Sequence, residues 1–452
     1  MAKPRVEALV DYKELYSPVV RYETIRSILA ISAKEHLSLF QFDVATAFLA
    51  AELEDVELFM KQPEGFDDGT GRVCALRKAI YGAAQASRAF NKEINKTLLG
   101  MRLVKLKQSS ADPCLYISDP PNRVFALIFV DDGLLATTND RLAMDFINER
   151  GKTFELTSRP LDFFLGIHIN ISKDKGRIQI NQSRYINELL ERFQMVDSKP
   201  SPVPIDPTSK SAYEGEVDIS LQYRELVGAL NYASLGTRLD ISFAVGFLSR
   251  YLDKPTKHLW NTALKTLRYL KSTKYYGPVY TGKSSDELIA YSDADWSGCT
   301  SSRRSTSGAF IQFGGAAIGW CSKRQASVTL SSLESELVAS CEAAKYCIWL
   351  KRLFHETGYK VRPKVLIDNT ACISSIKNHQ ISRRSKHIEV RFFFVREKAE
   401  SGEFTVHHVG TEDNISDIFT KILNRIRFQK LRSLAGIVNE DPAVSHANAG
   451  SR

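Results

Sequence analysis

Residues 125–136 read FALIFVDDGLLA and contain the pattern that decides the fold. An apolar run ends in Asp131, Asp132 and Gly133, and a second apolar run follows, so the segment predicts two buried strands joined by a tight turn. Asp-Gly alone favours such a turn, and a simple hairpin is one interpretation. A turn needs only one acid, however, and two adjacent carboxylates repel each other. The pair therefore also suits a divalent cation such as Mg²⁺, which takes oxygen ligands.

A third acid in a similar setting is Asp43, within residues 39–49 (LFQFDVATAFL). It closes a predicted strand and has apolar neighbours on both sides, where an unpaired carboxylate is costly to bury. The acid therefore either caps a helix that begins near Val44 or takes part in a metal site. Acids on two neighbouring strands would suit phosphoryl transfer assisted by two metal ions.

The composition limits the class of protein. The chain has 452 residues, enough for several domains, and its 43% hydrophobic and 25% charged residues argue against disorder. Its apolar runs are far shorter than the ~20 residues of a membrane span, so no membrane partner is expected. Seven cysteines without a Cys-x-x-Cys pair argue against a disulfide scaffold or a structural zinc site. A net charge of +9 favours a polyanionic partner.

Two seams rich in proline, glycine or serine divide the chain, at Lys199–Lys210 and Lys271–Ser285. Strand and helix patterns alternate before the first seam and after the second, whereas residues 221–270 are mainly helical in pattern. We therefore expect α+β units at both ends of the chain, joined by a helical piece.

The C-terminal block has a second set of acids on separate predicted elements. Each acid has a local explanation, since Asp368 could cap the next helix and Asp417 could face a helix dipole. Taken together, a strand acid, a helix acid, a strand-end acid and a late helical acid form a candidate metal site. In chain order these acids are Asp293, Glu336, Asp368 and Asp417.

A further glutamate, Glu334, lies near the start of the long predicted helix that also carries Glu336, three residues after Ser331. This is the spacing of a capping box, in which the two side chains bind the first free backbone N–H groups of a helix. We therefore assign Glu334 a structural role and leave Glu336 for the metal site. Asp295 and Asp413 are the neighbouring acids most easily mistaken for ligands.

Several segments resemble, in the same order, the reverse transcriptase and ribonuclease H of copia-type retrotransposons. The resemblance extends from about Asp11 to Leu431. The segments that carry the polymerase part are Phe40–Phe66, Leu76–Phe90, Phe129–Asp132 and Phe163–Ile167, supported by Asp11–Val20 and Tyr223–Leu270. Those that carry the ribonuclease H part include Arg303–Gly308, Lys386–Ile388 and Ser416–Lys421.

The resemblance implies roles for residues of the polymerase. Asp43 and Asp131 would bind the metal ions, with Asp132 as the lesser ligand, because adjacent strand residues point to opposite faces. Phe48 would lie against the sugar and exclude a ribose 2′-hydroxyl, although packing in the core is an alternative role. The residues against the incoming nucleotide or the template would be Tyr81, Gly82 and Gln85.

The resemblance also implies a nuclease centre. The four acids of the C-terminal block would hold two Mg²⁺ ions and hydrolyse RNA paired with DNA. The basic stretch Arg383–Lys398 would grip the phosphates of this hybrid, or it would form a solvated helix face over packed aromatic rings.

The expected fold is α+β: a right-hand polymerase palm with partial fingers, a helical thumb or connection, and a ribonuclease H-like domain with a mixed sheet. The boundaries we expect are 1–200 for the reverse transcriptase, 201–282 for the helical piece and 283–435 for the ribonuclease H-like domain. Residues 436–452 would be a flexible tail.

The expected function is that of an RNA-directed DNA polymerase with ribonuclease H activity, using two Mg²⁺ ions per site, with Mn²⁺ as a substitute. Expected partners are an RNA template, a DNA primer, their hybrid and deoxynucleoside triphosphates, with integrase or Gag particle proteins encoded elsewhere. The expected location is a retrotransposon particle in the cytoplasm, or the nucleus. The alternative is a degenerate copy that keeps the folds and binds nucleic acid but polymerises little.

Two departures from the family pattern bear on this alternative. The family carries basic fingers residues ahead of the match, where only ten residues precede Asp11 here. We therefore expect nucleotide binding, more than metal chemistry, to limit polymerisation. Residues 83–90 (AAQASRAF) also depart, with Ala83-Ala84 where Leu-Lys is usual, Ser87 where Pro is usual and Phe90 where Trp is usual.

Overall fold

The structure is a computed structural model that describes residues 17–53, 58–83, 85–151, 153–283, 285–299, 301–377 and 389–440. Residues 11–16 of the resemblance, residues 383–388 of the basic stretch and the tail after residue 440 lie outside the described residues. The chain forms two compact units. The first contains Leu37–Leu161 and the chain before Tyr22, and the second contains helix α1 (Tyr22–Glu35) and the chain from Asp162 onward.

The first unit is built on an antiparallel sheet of six strands in the order β4-β5-β6-β7-β1-β8, and β2 and β3 form a separate hairpin. Its strands and helices are β1 (Ser38–Val44), β2 (Leu58–Lys61), β3 (Val73–Leu76), α2 (Ala86–Leu99), β4 (Leu106–Gln108), β5 (Leu115–Ser118), β6 (Val124–Phe129), β7 (Asp132–Thr137), α3 (Asp140–Arg150) and β8 (Leu156–Pro160).

Side-chain alternation in β1 separates a core face from an acidic face of this sheet. Phe42 is buried and contacts the ring of Phe146 in α3, with the ring centroids 5.6 Å apart. Gly133 lies opposite Phe42 on β7, and a Cβ there would lie 2.0 Å from the ring, so this position admits no side chain. Gln41 and Asp43 point to the other face and are partly exposed. The sheet therefore presents Asp43 away from the helices.

The second unit contains two sheets of five strands, packed with helices. Its elements after α1 are β9 (Phe163–Phe164), β10 (Ile167–Ile171), β11 (Arg177–Asn181), α4 (Ser183–Arg192), α5 (Tyr223–Gly236), α6 (Ser242–Leu248), α7 (Lys257–Ser272), β12 (Tyr276–Thr281), β13 (Leu288–Asp295), β14 (Thr306–Phe313), β15 (Ala316–Arg324), α8 (Ser332–Glu356), β16 (Lys364–Ile367), α9 (Thr370–Lys377), α10 (Glu389–Glu400), β17 (Thr405–His408), α11 (Arg425–Leu434) and β18 (Ile437–Asn439).

The sheet that carries the C-terminal acids is mixed. Its order is β15-β14-β13-β16-β17, with antiparallel pairs among the first three strands and parallel pairs at β13–β16 and β16–β17. The other sheet has the order β18-β12-β11-β10-β9. Because β13 and β16 are parallel, their C-terminal ends meet at one end of the sheet, where Asp293 and Asp368 lie.

The mixed α+β fold class expected from the sequence is confirmed: an antiparallel palm-like sheet is followed by helices and a ribonuclease H-like mixed sheet. The boundaries expected at residues 200 and 282 both fall inside the second unit, and they stay predictions. The expectation of a flexible tail from residue 436 is wrong for Ile437–Asn439, which pair with β12 as β18, because Ile437 is buried in the core. Among the described helices, none combines the length and the apolar character needed to cross a bilayer.

Candidate active sites

The tight turn predicted between residues 129 and 132 joins β6 to β7. Phe129 pairs with Asp132, so the turn consists of Val130 and Asp131 alone. Val130 has a φ of 57°, in the left-handed region that a β-branched residue rarely adopts. Strain of this kind persists only where surrounding structure enforces it, and it occurs often at functional sites. The hairpin thus holds Asp131 at its tip, directly after a residue in an unfavourable backbone conformation.

Three acids meet at this hairpin. Asp43 on β1 lies directly opposite Asp132 on β7, and the Val44 N–H donates to the Asp131 carbonyl oxygen at 3.1 Å. Burial, followed by the charge of Asp131, raises the pKa of Asp43. Burial and the charges of Asp131 and Asp43 likewise raise the pKa of Asp132. The carboxylates therefore repel one another, and a bound cation would relieve the repulsion.

The register of β7 against β1 and β6 differs from the one assumed in the sequence-based prediction for Asp131 and Asp132. Asp131 stands in the turn, before β7 begins, so strand alternation does not set it against Asp132. Asp132, expected to be the lesser ligand, shares the sheet face of Asp43 because residues directly opposite on paired strands point the same way. The helix-cap alternative for Asp43 is wrong, because Asp43 lies inside β1 and the next turn of 3₁₀ helix starts at Ala47.

The candidate nucleotide-binding residues lie close to one another in the first unit. Phe48 contacts Tyr81 edge-on, with ring centroids 4.6 Å apart, and Phe90 of α2 at 6.2 Å. Phe48 is only 8% exposed, so most of its surface packs in the core, whereas Tyr81 is 58% exposed. Gly82 follows with a φ of 90°, a conformation that glycine adopts readily. Gln85 stands at the N-cap of α2, and its backbone carbonyl oxygen accepts a hydrogen bond from the Ala89 N–H at 3.0 Å.

The C-terminal acids come together at one end of the mixed sheet. Carboxylate oxygens of Asp293, Asp368 and Asp417 all lie within 4.8 Å of one another. Among the described residues, this is the group whose spacing suits a metal ion. Asp293 comes from β13, Asp368 follows β16, and Asp417 lies in a short 3₁₀ helix, Ile415–Phe419. Four elements distant in sequence therefore supply the site, once α8 is included.

Glu336 of α8 completes the set. Its Oε1 accepts a hydrogen bond from the Ala294 N–H at 3.3 Å, while its Oε2 is buried with no hydrogen-bond partner among the described residues. Burial, and then the charges of Asp293 and Asp368, raise its pKa well above the ordinary value. A buried carboxylate oxygen without a partner is costly, so this atom fits a position that a cation would occupy.

Basic residues that the sequence-based prediction did not include offset part of this charge. Lys421 Nζ donates to Asp417 Oδ1 at 2.7 Å and to Asp293 Oδ1 at 3.2 Å, and the Arg427 guanidinium also pairs with Asp417. Burial raises the pKa of Asp293 to about 7, although Lys421 and a hydrogen bond from Thr420 act in the opposite direction. Lys421 lies four residues after Asp417, and this spacing was the available signal.

The neighbouring acids have structural tasks. Ser331 Oγ accepts from the Glu334 N–H at 3.2 Å, and the Glu334 carboxylate accepts from the Leu330 N–H at 2.7 Å, so Glu334 caps α8. The Asp295 carboxylate lies over Gly298, where a Cβ would be 1.5 Å from its Oδ2. Asp413 pairs with Lys430 at 2.8 Å.

The described part of the basic stretch is helix α10. Phe392 is buried, Phe393 is 42% exposed, and Arg396 pairs with Glu400 at 3.0 Å on the same helix. This arrangement agrees with a helix that has a packed aromatic side and a solvated charged side, the alternative to a phosphate-gripping surface. Residues 383–388, which hold several of its cations, lie outside the described residues.

The two acid sets lie on separate sheets, one in each unit of the chain. A family model for reverse transcriptase (RNA-dependent DNA polymerase) matches residues 5–207. The Pol polyprotein of transposon TNT 1-94 from Nicotiana tabacum is 34% identical over 443 residues, covering 95% of this chain and 33% of the relative. That of transposon RE2 from Arabidopsis thaliana is 34% identical over 445 residues, covering 96% and 30%.

The chain belongs to the reverse transcriptase family of copia-type retrotransposon Pol polyproteins. It spans about a third of the length of the polyproteins it matches. A solved foamy viral protease-reverse transcriptase, in complex with double-stranded DNA, is similar with a TM-score of 0.49 and 10% identity, covering 90% of this chain and 61% of that one.

Proposed function

We propose that the chain is an RNA-directed DNA polymerase of a copia-type retrotransposon that also hydrolyses the RNA strand of the hybrid it makes. The observation that supports this most directly is the cluster of Asp293, Asp368 and Asp417, with oxygens within 4.8 Å of one another. Grouped acids at a sheet end cost stability through repulsion, so the meeting of three acids from three separate elements is better explained by a metal-dependent task.

The residues fit divalent cations in both units. Carboxylate oxygens are the ligands that Mg²⁺ takes, and the unpaired Glu336 Oε2 would gain a partner. In the first unit Asp43, Asp131 and Asp132 would hold the ions. When bound, a pair of Mg²⁺ ions would activate the attacking hydroxyl or water and neutralise charge on the phosphate.

The chain's own residues would then orient the substrates. The strained turn at Val130 keeps Asp131 at the tip of the hairpin, beside Asp43 on the neighbouring strand. In the second unit, Lys421 would hold the Asp293 and Asp417 carboxylates together until cations and hybrid enter. Such positioning removes reorganisation from the reaction step.

The partners we propose are an RNA template, a DNA primer, the hybrid and deoxynucleoside triphosphates, and the location is a retrotransposon particle or the nucleus. Primer extension and hybrid cleavage, both measured on the purified chain with Mg²⁺, test the proposal. Extension on an RNA template together with loss of the RNA strand supports it. Binding of the hybrid without either reaction would favour the degenerate copy instead.

The stability of the metal-free chain should depend on pH through Asp293. Burial raises the pKa of Asp293 in the folded chain to about 7. The contribution of Asp293 to the stability of the fold is therefore fully present below the ordinary pKa of a carboxyl group, and it is lost as the pH rises through about 7. Mg²⁺ should therefore raise the melting temperature more above pH 7 than below it. Calorimetry with and without Mg²⁺ measures this difference, and Asp293→Asn should remove most of it. An equal Mg²⁺ effect at all pH values would contradict the assignment.

Phe48 is expected to control which sugar the polymerase accepts. If its ring edge faces the 2′ position, Phe48→Ala should raise ribonucleotide incorporation relative to deoxynucleotides by about tenfold or more, since the excluded group gains space. The measurement is the ratio of kcat/KM for the two nucleotides on one primed template. Phe48→Ala also removes a buried ring, so a loss of about 3 kcal/mol in stability is expected alongside. An active variant with unchanged selectivity would assign Phe48 to the core alone.

A further inference from the structure

An exposed apolar ledge lies beside the acids of the second unit. Trp296 is 50% exposed, and Val328 and Leu330 are 46% and 68% exposed. The Trp296 indole N–H donates to the Thr329 carbonyl oxygen at 3.2 Å, which holds the ring next to the segment carrying the two aliphatic residues. Large apolar side chains grouped on a surface mark binding sites more often than isolated ones do. We call Trp296, Val328 and Leu330 the Trp296 ledge.

The ledge lies at the acid-bearing end of the mixed sheet. Trp296 follows the last residue of β13, the strand that carries Asp293. Leu330 comes just before α8, and its N–H binds the Glu334 carboxylate at 2.7 Å. Glu336 is one helical turn into the same helix and accepts from the Ala294 N–H on β13. A molecule cut at the acids would therefore extend over the ledge.

Cations surround the ledge at the same strand ends. Lys323 and Arg324 close β15, and Arg324 pairs in register with Thr306, the first residue of β14. Arg303 and Arg304 lead into β14. None of these four cations makes an ion pair with an acid within the part of the chain that the structure describes. Arg324 also lies near Arg250, whose pKa is lowered chiefly by burial and further by Arg324. Unpaired cations crowded in this way favour an anionic ligand.

We propose that the Trp296 ledge and the β15 cations bind the RNA–DNA hybrid beside the nuclease acids. The ring and the two aliphatic side chains would lie against sugars of the wide, shallow minor groove, while Lys323 and Arg324 pair with phosphates. This inference rests on the proposed ribonuclease H activity and adds the surface that positions its substrate. The charge pattern selects a polyphosphate duplex over an apolar protein segment, because cations flank the apolar centre on the neighbouring strand ends.

Steady-state cleavage of a short RNA–DNA hybrid by the full chain tests the ledge. Trp296→Ala should raise KM by about tenfold and leave kcat within about twofold, as expected for the loss of one aromatic contact. Trp296→Phe keeps a ring but loses the N–H, so it should retain most of the affinity. If the Trp296–Thr329 hydrogen bond were the whole contribution, Phe would be as poor as Ala, which would overturn the proposal.

The salt dependence of KM separates the cations from the ring. Lys323→Gln and Arg324→Gln should each weaken binding and lower the slope of log affinity against log salt by about one, whereas Trp296→Ala should leave the slope unchanged. Lys360→Gln is the matched control, because this exposed lysine precedes β16 at the opposite end of the sheet. Equal effects of Lys360→Gln and Arg324→Gln would overturn the assignment.

Photo-crosslinking keeps the test independent of catalysis. A hybrid with a photoreactive diazirine attached to a 2′-oxygen of its RNA strand, which faces the minor groove, should, when bound in EDTA and irradiated, link to peptides containing Trp296 or residues 328–330. Crosslinks elsewhere in the second unit would overturn the ledge, even if cleavage is normal. Crosslinks at the ledge in a chain that never cleaves RNA would support the ledge and reject the proposed nuclease activity, so the two failures are distinguishable.

Discussion

Glu336→Gln is expected to lower cleavage of the RNA strand of a hybrid by about a thousandfold or more, while the folded chain becomes slightly more stable. The substitution keeps the size of the side chain but removes a charge that lies buried beside Asp293 and Asp368. Loss of a metal-binding carboxylate removes several kcal/mol of stabilisation from the reaction. Loss of an unpaired buried charge, in contrast, relieves repulsion in the metal-free protein.

Glu334→Gln is the matched control on the same helix. Its carboxylate accepts the Leu330 N–H at the start of α8, away from the metal position. A glutamine can still accept this bond but loses the favourable interaction with the helix N-terminus, so about 0.3–1 kcal/mol of stability should be lost. Cleavage should stay near that of the unmodified chain.

Cleavage rates at saturating Mg²⁺ and melting temperatures should be measured together for both variants. The expected result is an inactive, more stable Glu336→Gln and an active, less stable Glu334→Gln. The reverse pattern would exchange the roles assigned to the two glutamates. Equal loss of cleavage in both would mean that the geometry of α8, and not one carboxylate, decides the activity.

Local sequence patterns predicted most of the helices and strands. The strand predicted to end near Asp43 is present as Ser38–Val44, and the long helix predicted after Ser331 is present as Ser332–Glu356. Both were visible because side-chain alternation and a capping box are set by neighbours in sequence. Three of the four C-terminal acids selected from the sequence, Asp293, Asp368 and Asp417, have carboxylate oxygens within 4.8 Å of one another in the structure.

What the sequence could not supply depends on contacts between distant segments. Helix α1 belongs to the second unit, although it precedes the first unit's sheet, and Arg26 on it donates to the Ile318 carbonyl oxygen at 2.8 Å. The short strand β18 exists because β12 offers it a partner. Lys421 and Arg427 gain their roles only when Asp293 and Asp417 are brought together. The hydrophobic periodicity of a sequence does not indicate which distant segments will pair.

The same limit applies to the acids of the first unit. Alternation along a strand predicted that Asp131 and Asp132 could not serve one site equally. The structure starts β7 at Asp132 and leaves Asp131 in a two-residue turn, where alternation does not hold. Asp132 instead faces the same side as Asp43 through the register of β1 and β7. The relative importance of the two aspartates is therefore a question for measurement.

Asp131→Asn and Asp43→Asn are expected to reduce primer extension by about a thousandfold or more, because each removes an oxygen anion from the group that would hold the ions. Asp132→Asn should cost less, about tenfold to a hundredfold, since its carboxylate is hydrogen-bonded by Gln41 and lies near Arg159. All three variants should keep full cleavage of the hybrid, because the nuclease acids lie in the other unit. Hybrid cleavage thus serves as the folding control within each sample.

The stabilities of the same three variants make the test sharper. Asp131 raises the pKa of both neighbours, so Asp131→Asn should lower the pKa of Asp43 and Asp132 and raise the melting temperature of the metal-free chain. If Asp131→Asn raises the melting temperature but reduces primer extension, Asp131 serves the function of the protein and destabilises its fold. If Asp132→Asn proved as inactive as Asp43→Asn while Asp131→Asn still extended primers, the cross-strand pair of Asp43 and Asp132 would be the metal-binding pair. The turn residue would then have the lesser role, because the register of the two strands would outweigh its place at the tip of the hairpin.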